Sequence, residues 1–325
     1  MYKNDFIMII DSHSWITKTE HWGKQTGDLM DQSWKASDDY SKNKKIHQKT
    51  GVVGRYASVD ELVQMMDEAG VDKTLLHSWN HPFWDVKIPN EWNADQVKQC
   101  PDRLFGLGSV YELDGQKAVR ELEEIHSLGL LGIKMGTRHA DPIDTMDLDT
   151  VDPFCDERMW PLYDKCIDLD LAVFVHVGWI GTMVMGDKAY ADWELNRVHY
   201  LDRVAVQFPK LKLVAVHAGV SEWKTCLMLM LKNVNLYCNT SALGGHGLIP
   251  LEEYALLLKN AKALGVLHKV MWGTDNYDQR DELPLVKSIP EITKKYNIGP
   301  TMPDLTQEDM DAFLGGNSAK FLNIK

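Results

Sequence analysis

The sequence has few cysteines, and they are not arranged as a structural set. The chain of 325 residues contains five cysteines, an odd number, and has no CxxC motif. Disulfide frameworks and thiolate zinc sites need paired or closely spaced cysteines, so we expect neither. The thiols are expected to be reduced, as is typical of a cytoplasmic protein.

Positive charge and long apolar runs are also scarce. The formal net charge is −12, whereas nucleic acids and anionic membranes are bound by basic surfaces. No apolar run reaches the roughly 20 residues that a membrane span requires. The N-terminus, MYKNDFIMII, enters a strand-like run without a cleavage site, so it is not expected to be a signal peptide. We therefore expect neither nucleic acid nor a membrane as a partner.

The sequence does contain eight short β-rich runs, separated by segments with apolar residues near the helical period of 3.6. The runs are almost continuously apolar, as in a parallel sheet that is covered on both faces. Eight strands alternating with helices over this length predict an α/β fold with a single (β/α)8 TIM barrel, and a doubly wound open sheet is the alternative. The predicted strands are 6–13, 71–79, 104–111, 130–136, 171–178, 211–219, 234–242 and 269–276.

Two polar segments interrupt this alternation. Residues 15–56 form a long insertion after the first strand, and residues 138–154 follow the fourth strand. Long loops in compact domains often carry function, so residues 15–56 are expected to form a lid or a dimer contact. The chain as a whole, 1–325, is predicted to be one domain.

Potential metal ligands follow the C-terminal ends of several strands, where barrels of this type place their catalytic residues. In the first strand, IDSHSW, Asp11 and His13 lie two positions apart and should project together. The runs VFVHVG, VAVHAG and MWGTDN add His176, His217 and Asp275. Because burying unpaired imidazoles costs free energy, this set predicts a divalent-metal site.

Other side chains near the strand ends are candidates for substrate contacts. Tryptophan rings could stack on a planar substrate, and an arginine could pair with a carboxylate through two hydrogen bonds. The alternative is that these tryptophans pack the loops and that the histidines are structural. The candidates are Trp15, Trp79, His81, Arg138, Trp179 and His246.

The order and spacing of VFVHVG, VAVHAG and MWGTDN, with the closing FLGGNSAKFLNI, resemble the amidohydrolase superfamily over residues 6–323. The closest resemblance is to the amidohydrolase 2 branch, which contains the aminocarboxymuconate-semialdehyde and γ-resorcylate decarboxylases. The resemblance implies that His176 is a metal ligand and that Asp275 contacts the metal and the reacting atom. It implies that His217 is a ligand or an acid–base group, and that the protein is a homodimer.

The first-strand motif departs from the HxH pattern of the superfamily. Either His13 is the first histidine and Trp15 replaces the second, or Asp11 and His13 form a carboxylate-x-His pair. The second interpretation is favoured because tryptophan does not ligate metals. One Zn²⁺ or Mn²⁺ ion would then be held by Asp11, His13, His176 and Asp275. Lys134, which corresponds to a carbamylated bridge in binuclear members, is interpreted as structural because the branch resembles a mononuclear site.

The resemblance implies a lyase that decarboxylates a small aromatic or dienoic carboxylic acid, with the metal chelating the substrate and Asp275 or His217 handling the proton. A hydrolase or hydratase that activates water on a lactone, amide or C–C bond stays open, as does a ligand-binding barrel without catalysis. The decarboxylases of the branch carry a glutamate three residues after the strand-six histidine. Here that position is Val220, and the nearest carboxylate is Glu222.

Overall fold

Eight parallel strands form the centre of the computed structural model, which describes residues 8–23, 57–81, 86–136, 154–178, 184–185, 188–189, 196–244, 248–275 and 278–325. All eight predicted strands are present. Each regular strand is shorter than the run that predicted it. The strands are β1 Ile10–Ser14, β2 Lys73–His77, β3 Leu104–Leu107, β4 Gly132–Met135, β5 Ala172–His176, β6 Leu213–Val216, β7 Leu236–Asn239 and β8 Val270–Met271.

The strands pair in sequence order and form two parallel sheets, β1–β2–β3 and β4–β5–β6–β7–β8. At one seam, Gly108 bridges to Ile133 and its N–H donates to the Gly132 carbonyl oxygen at 2.8 Å. At the other seam, the N–H of Ser12 donates to the carbonyl oxygen of Trp272 at 3.1 Å. Hydrogen bonds thus connect all eight strands in a cycle, and the predicted barrel, rather than an open sheet, is confirmed.

Helices follow the strands and cover the outside of the barrel. The first helix shows how the local sequence determines where a helix begins and ends. Ser58 and Glu61 form a capping box at its start, and Gly70, at φ 75°, ends it. The helices are α1 Val59–Ala69, α2 Asn90–Gln99, α3 Gln116–Ser127, α4 Trp160–Asp168, α5 Tyr200–Gln207, α6 Trp223–Lys232, α7 Leu251–Ala263, α8 Glu282–Lys287, α9 Ile289–Lys295, α10 Gln307–Asp311 and α11 Asn317–Leu322.

Apolar side chains lie on both sides of the strand layer. In β5, Val173 and Val175 join the outer core under the helices, whereas Ala172 and Phe174 join a second cluster inside the barrel. Side chains of a strand alternate between its faces, so the near-continuous apolar runs fill both cores. Phe321 of α11 meets Phe174 with ring centroids 6.3 Å apart. The last helix thereby contributes to the inner core.

The long insertion after the first strand is present, since α1 begins only at Val59. Residues 24–56 and 137–153 lie outside the described residues, so the lid or dimer-contact role of 15–56 stays a prediction. Two short antiparallel pairs also follow β2 and β5, namely Asn80–His81 with Val86–Lys87 and Val184–Met185 with Lys188–Ala189. Across the ranges given above, no helix is long and apolar enough to span a bilayer.

Gly315 marks the closest approach of the C-terminal segment to the start of β1. It lies in the π-helical turn Ala312–Gly316. A Cβ at Gly315 would lie 1.8 Å from the carbonyl oxygen of Met8, whereas a Cβ at Gly316 would meet nothing nearer than 3.5 Å. We expect Gly315→Ala to lower the free energy of unfolding by more than about 3 kcal/mol, because backbone must move to admit the methyl group.

The neighbouring substitution is the matched control. Gly316→Ala adds the same methyl group to the same turn without a clash, so it should change the free energy of unfolding by less than about 1 kcal/mol. Urea unfolding followed by circular dichroism measures both variants. Equal stability of the two variants would contradict the close approach at Gly315.

Candidate metal centre

Three side chains meet at the C-terminal end of the barrel. His13 from β1, His217 directly after β6 and Asp275 beyond β8 each offer one ligand atom, and these atoms all lie within 4.8 Å of one another. The Nε2 atom of His13 lies 3.1 Å from Oδ1 of Asp275. These three residues, hereafter the donor group, lie in or just after three strands that are distant in sequence.

Uncommon backbone conformations place two members of the donor group. His217 has φ 61° and Asp275 has φ 65°. A non-glycine residue in this left-handed region costs on the order of 1–3 kcal/mol, and such residues concentrate at functional sites. Hydrogen bonds hold both turns, since the N–H of His217 donates to Oδ1 of Asn239 at 3.0 Å and that of Asp275 donates to the carbonyl oxygen of His13 at 2.8 Å.

Ser241 fixes the orientation of both imidazole rings. Its carbonyl oxygen lies 2.9 Å from Nδ1 of His217, and because a carbonyl oxygen only accepts, that nitrogen carries the proton. The Ser241 hydroxyl donates to Oδ1 of Asn239 at 2.9 Å and lies 2.9 Å from Nδ1 of His13, whose proton it therefore accepts. In each neutral ring the lone pair remains on Nε2, which is the arrangement that metal-ligating histidines adopt.

Within the donor group, two hydrogen-bond acceptors, Nε2 of His13 and Oδ1 of Asp275, face each other. With its proton on Nδ1, His13 presents a lone pair to the carboxylate of Asp275. Burial raises the pKa of Asp275 to about 7, with Lys134 opposing the rise and Asp11 adding to it. Burial, reinforced by the nearby His77 and Lys134, holds the pKa of His13 well below its usual range. A divalent cation would supply the positive charge that both groups lack, and two imidazole nitrogens with a carboxylate oxygen suit it.

Two further histidines flank the donor group. His176, at the end of β5, meets the ring of His217 edge-on with centroids 4.6 Å apart. It is not one of the three mutually close donors, so its ligand role stays a prediction. His77, at the end of β2, stacks on His13 with centroids 3.9 Å apart and donates from Nε2 to the carbonyl oxygen of Ser12 at 3.1 Å. The position of His77 at the end of a predicted strand marks it as a potential ligand in the sequence, but it is not among the predicted site residues.

Asp11 is buried, and both of its carboxylate oxygens accept hydrogen bonds. Its carboxylate accepts the N–H and hydroxyl of Thr274 at 3.0 and 2.6 Å, the amide of Gln279 at 3.1 Å and the N–H of His13 at 3.1 Å. Burial raises its pKa to about 6, against the effect of these bonds. The structure does not bring Asp11 into the donor group but against the turn that carries Asp275. Its ligand role stays a prediction.

Aromatic rings form a row beside the donor group. Trp15 donates its indole N–H to the carbonyl oxygen of Asp275 at 2.9 Å. The ring centroids of Trp15 and Trp22 are 5.7 Å apart. Those of Trp22 and Trp79 are 6.0 Å apart, and those of Trp79 and His81 are 6.4 Å apart. Trp22 lies in the insertion and lacked any strand-end signal. Substrate contacts by Trp15, Trp79 and His81 stay predictions, and three other candidates lie outside the described residues: Arg138, Trp179 and His246.

The carboxylate nearest to the position of the branch's glutamate is engaged elsewhere. Glu222 accepts the Nε–H of Arg197 at 3.0 Å and the N–H of Val198 at 3.1 Å. Val220, at the glutamate position itself, is buried and has φ 49°. A glutamate-based proton relay is therefore not reproduced at this point of the structure.

Comparisons with known proteins give a family and a fold. A family model described as amidohydrolase matches residues 86–324. The 2-amino-3-carboxymuconate-6-semialdehyde decarboxylase of Dictyostelium discoideum is 32% identical over 88 residues, which are 27% of this chain and 22% of that protein. The match thus spans about a fifth of the curated relative's length.

Solved structures match nearly the whole chain. An uncharacterised TIM-barrel protein from Bordetella bronchiseptica is 19% identical with a TM-score of 0.64, covering 98% of this chain and 99% of that one. A 5-carboxyvanillate decarboxylase from Novosphingobium aromaticivorans, with bound manganese and 3-methoxy-4-hydroxy-5-nitrobenzoic acid, is 14% identical with a TM-score of 0.63 and covers 99% of both chains. At these identities the likeness shows the fold alone.

The family model covers more than half of the chain, including β3 to β8 and two members of the donor group, His217 and Asp275. The barrel and the donor group agree with the resemblance seen in the strand-end motifs. The chain therefore belongs to the amidohydrolase family, and it is built on a (β/α)8 barrel.

Proposed function

We propose that the protein is a metal-dependent decarboxylase of a small aromatic or dienoic carboxylic acid. The observation that carries the proposal is the buried donor group lying beside a row of aromatic rings. A cation would meet the carboxylate of such an acid, and the rings would meet its planar carbon skeleton. Support comes from the Dictyostelium relative and the Novosphingobium neighbour, both of which are decarboxylases by name.

The proposed metal ligands are His13, His217 and Asp275 of the donor group. His176 and Asp11, which the sequence pattern predicted as ligands, are also kept in the proposed set. When bound, a divalent ion supplies a Lewis acid that polarises the substrate carboxylate and a neighbouring oxygen. Nitrogen and oxygen donors suit either Zn²⁺ or Mn²⁺. Ser241 keeps Nε2 of both imidazoles directed at this position.

Asp275 is the proposed proton donor. Decarboxylation replaces a carboxylate on carbon by hydrogen, so a proton must be delivered to that carbon. The Asp275 side chain is 19% exposed, against 4% for His13, which makes it the more accessible of the two. His217 is completely buried and would assist by holding its imidazole beside the reacting groups. Trp15, Trp79, His81, Arg138, Trp179 and His246 are proposed to contact the substrate.

Hydrolysis or hydration at the same site is the second candidate. The observation in its favour is that Glu222 pairs with Arg197. It is therefore not available for the role of the proton-relay glutamate of the decarboxylase branch. In this reaction Asp275 would accept a proton from an attacking water, and His217 would stabilise the developing negative charge. The two candidates share the donor group and differ in their product.

The reaction itself distinguishes the two candidates. We expect carbon dioxide release from at least one acid in a panel of hydroxybenzoates, muconates and lactones, because the donor group and the rings suit a planar carboxylate. Incubation with a chelator should abolish turnover, and Zn²⁺ or Mn²⁺ should restore it. Base consumption without carbon dioxide would contradict decarboxylation and favour hydrolysis.

Metal content tests the ligand assignment independently of activity. We expect purified protein to hold about one divalent ion per chain, and His13→Ala, His176→Ala and Asp275→Ala to hold about a tenth of that or less, since each removes a proposed ligand. Elemental analysis by mass spectrometry measures the content. His268→Ala is the control because His268 is exposed on the barrel's outside, and it should keep its metal. A full complement in any of the three variants would remove that residue from the ligand set.

Ser241 tests whether imidazole orientation matters. Ser241→Ala removes the hydroxyl that lies 2.9 Å from Nδ1 of both His13 and His217, but keeps the carbonyl oxygen that accepts from His217. We expect metal affinity to fall by about 10- to 100-fold, as for other partners of metal-bound histidines. Competition with a fluorescent chelator measures the affinity. Ser288→Ala, which removes a hydroxyl donating to Leu285 between α8 and α9, should leave it unchanged; a similar loss there would point to a general effect on stability.

Location and assembly are also proposals. All five cysteines are free thiols, which supports a reducing compartment, and we propose that the protein is cytoplasmic. A homodimer is proposed from the family resemblance and is tested by the mass measured in solution with light scattering.

A further inference from the structure

We infer that the ammonium group of Lys134 binds the anionic group of the ligand, next to the donor group. The inference rests on the proposed function and extends it by naming the residue that recognises the negative charge. It replaces the structural role that the sequence pattern favoured for this lysine.

Lys134 points into the barrel. It lies in β4, Gly132–Met135, and its neighbours Ile133 and Met135 belong to the outer core under the helices. Because successive side chains of a strand alternate between faces, Lys134 is directed to the interior. The residue is 7% exposed and sits near the C-terminal end of its strand, the end that carries the donor group.

The neighbours of Lys134 on two sides indicate where its ammonium group lies. Its charge acts on His13 and Asp275, so it lies within electrostatic reach of the donor group. Gly136, two positions further on and on the same face, backs onto the aromatic row, because a Cβ there would lie 2.9 Å from Cδ2 of His81 and 3.4 Å from Nε1 of Trp79. Lys134 thus shares a strand face with the position that meets the rings and lies near the donor group, so its ammonium group is close to where the proposed substrate would lie.

The ammonium group of Lys134 forms no hydrogen bond and no ion pair with any residue in the ranges that the structure describes. Other buried lysines have partners: Lys269 donates to the carbonyl oxygens of Met230 and Asn233 at 2.8 and 2.9 Å, and Lys259 donates to that of Ile298 at 3.1 Å. Removing an ammonium group from water without a partner is costly. An anionic ligand would offset that cost with a charge-assisted hydrogen bond.

The local charges favour the same conclusion. Two carboxylates, Asp11 and Asp275, lie at this end of the barrel, and together they would balance the charge of a divalent ion. The histidines are neutral when they act as ligands. With the charge of Asp275 directed to the ion, Lys134 has no ion-pair partner among the described residues, and one carboxylate of a ligand would neutralise its charge.

Two buried lysines allow a matched experiment. Lys134 and Lys269 are each 7% exposed, and Lys134→Met and Lys269→Met remove the same charge. Binding of 4-hydroxybenzoate, cis,cis-muconate and the neutral 4-hydroxybenzamide is measured by calorimetry on the metal-loaded protein and on the chelator-treated protein. Metal content and urea unfolding are measured on the same samples.

We expect Lys134→Met to weaken binding of at least one acid by about tenfold or more, with or without metal, and to leave the affinity for the amide within about threefold. Metal content should be retained. The urea midpoint should stay unchanged or rise, because an unpaired buried charge is removed. Lys269→Met should lower the urea midpoint, since it loses two hydrogen bonds, and should leave the affinity for the acid unchanged.

Equal weakening of acid and amide in Lys134→Met, an unchanged affinity for the acids, or wild-type protein that binds neither acid would overturn the inference. Carbon dioxide release by the wild type, together with unchanged affinity in Lys134→Met, would overturn only the role of Lys134. Lys134-dependent binding of an acid that is never decarboxylated would support this inference while contradicting the proposed reaction.

Discussion

The pairing of the first strand with the last is the interaction on which the site depends. The N–H of Ser12 reaches the carbonyl oxygen of Trp272, and that of Asp275 reaches the carbonyl oxygen of His13. Without this seam the sheet would be open, and His13 and Asp275 would lie at opposite edges. With it, two side chains that are far apart in the chain come within 3.1 Å of each other. Asp11 reinforces the same seam through Thr274 and Gln279.

Around this seam, strained backbone and buried polar groups are held by hydrogen bonds. The left-handed conformations of His217 and Asp275 each cost on the order of 1–3 kcal/mol, whereas a buried hydrogen bond contributes roughly 1 kcal/mol net. Ser241 and Asn239 supply several such bonds within a few residues. The polar residues of the rim therefore stabilise one another as a network, and the apolar layers below them stabilise the barrel.

The sequence predicts the barrel well, because the apolar runs that indicate its strands are local features of the chain. Continuous apolar runs locate all eight strands. The polar residues at their ends include His13, His217 and Asp275, which lie together in the structure. The pattern does not show which partners a buried polar group will find. Asp11 shares a strand face with His13 in the motif, yet its oxygens are occupied by Thr274 and Gln279. Ser241, in a stretch that resembles an ordinary turn, orients both imidazoles because of a pairing across strands that no local signal reveals.

The contact between Gly315 and Met8 has a consequence for how the molecule reaches its final form. The first strand pairs with β2 on one side, but its other neighbours are β8 and the turn at Gly315, which are made roughly 260 to 300 residues later. Contacts of such long sequence separation are slow to form, and domains begin to fold from the N-terminus during synthesis. Completion of the donor group therefore has to wait until Asp275 has left the ribosome, and a polypeptide that stops short of Gly315 would leave the start of β1 uncovered.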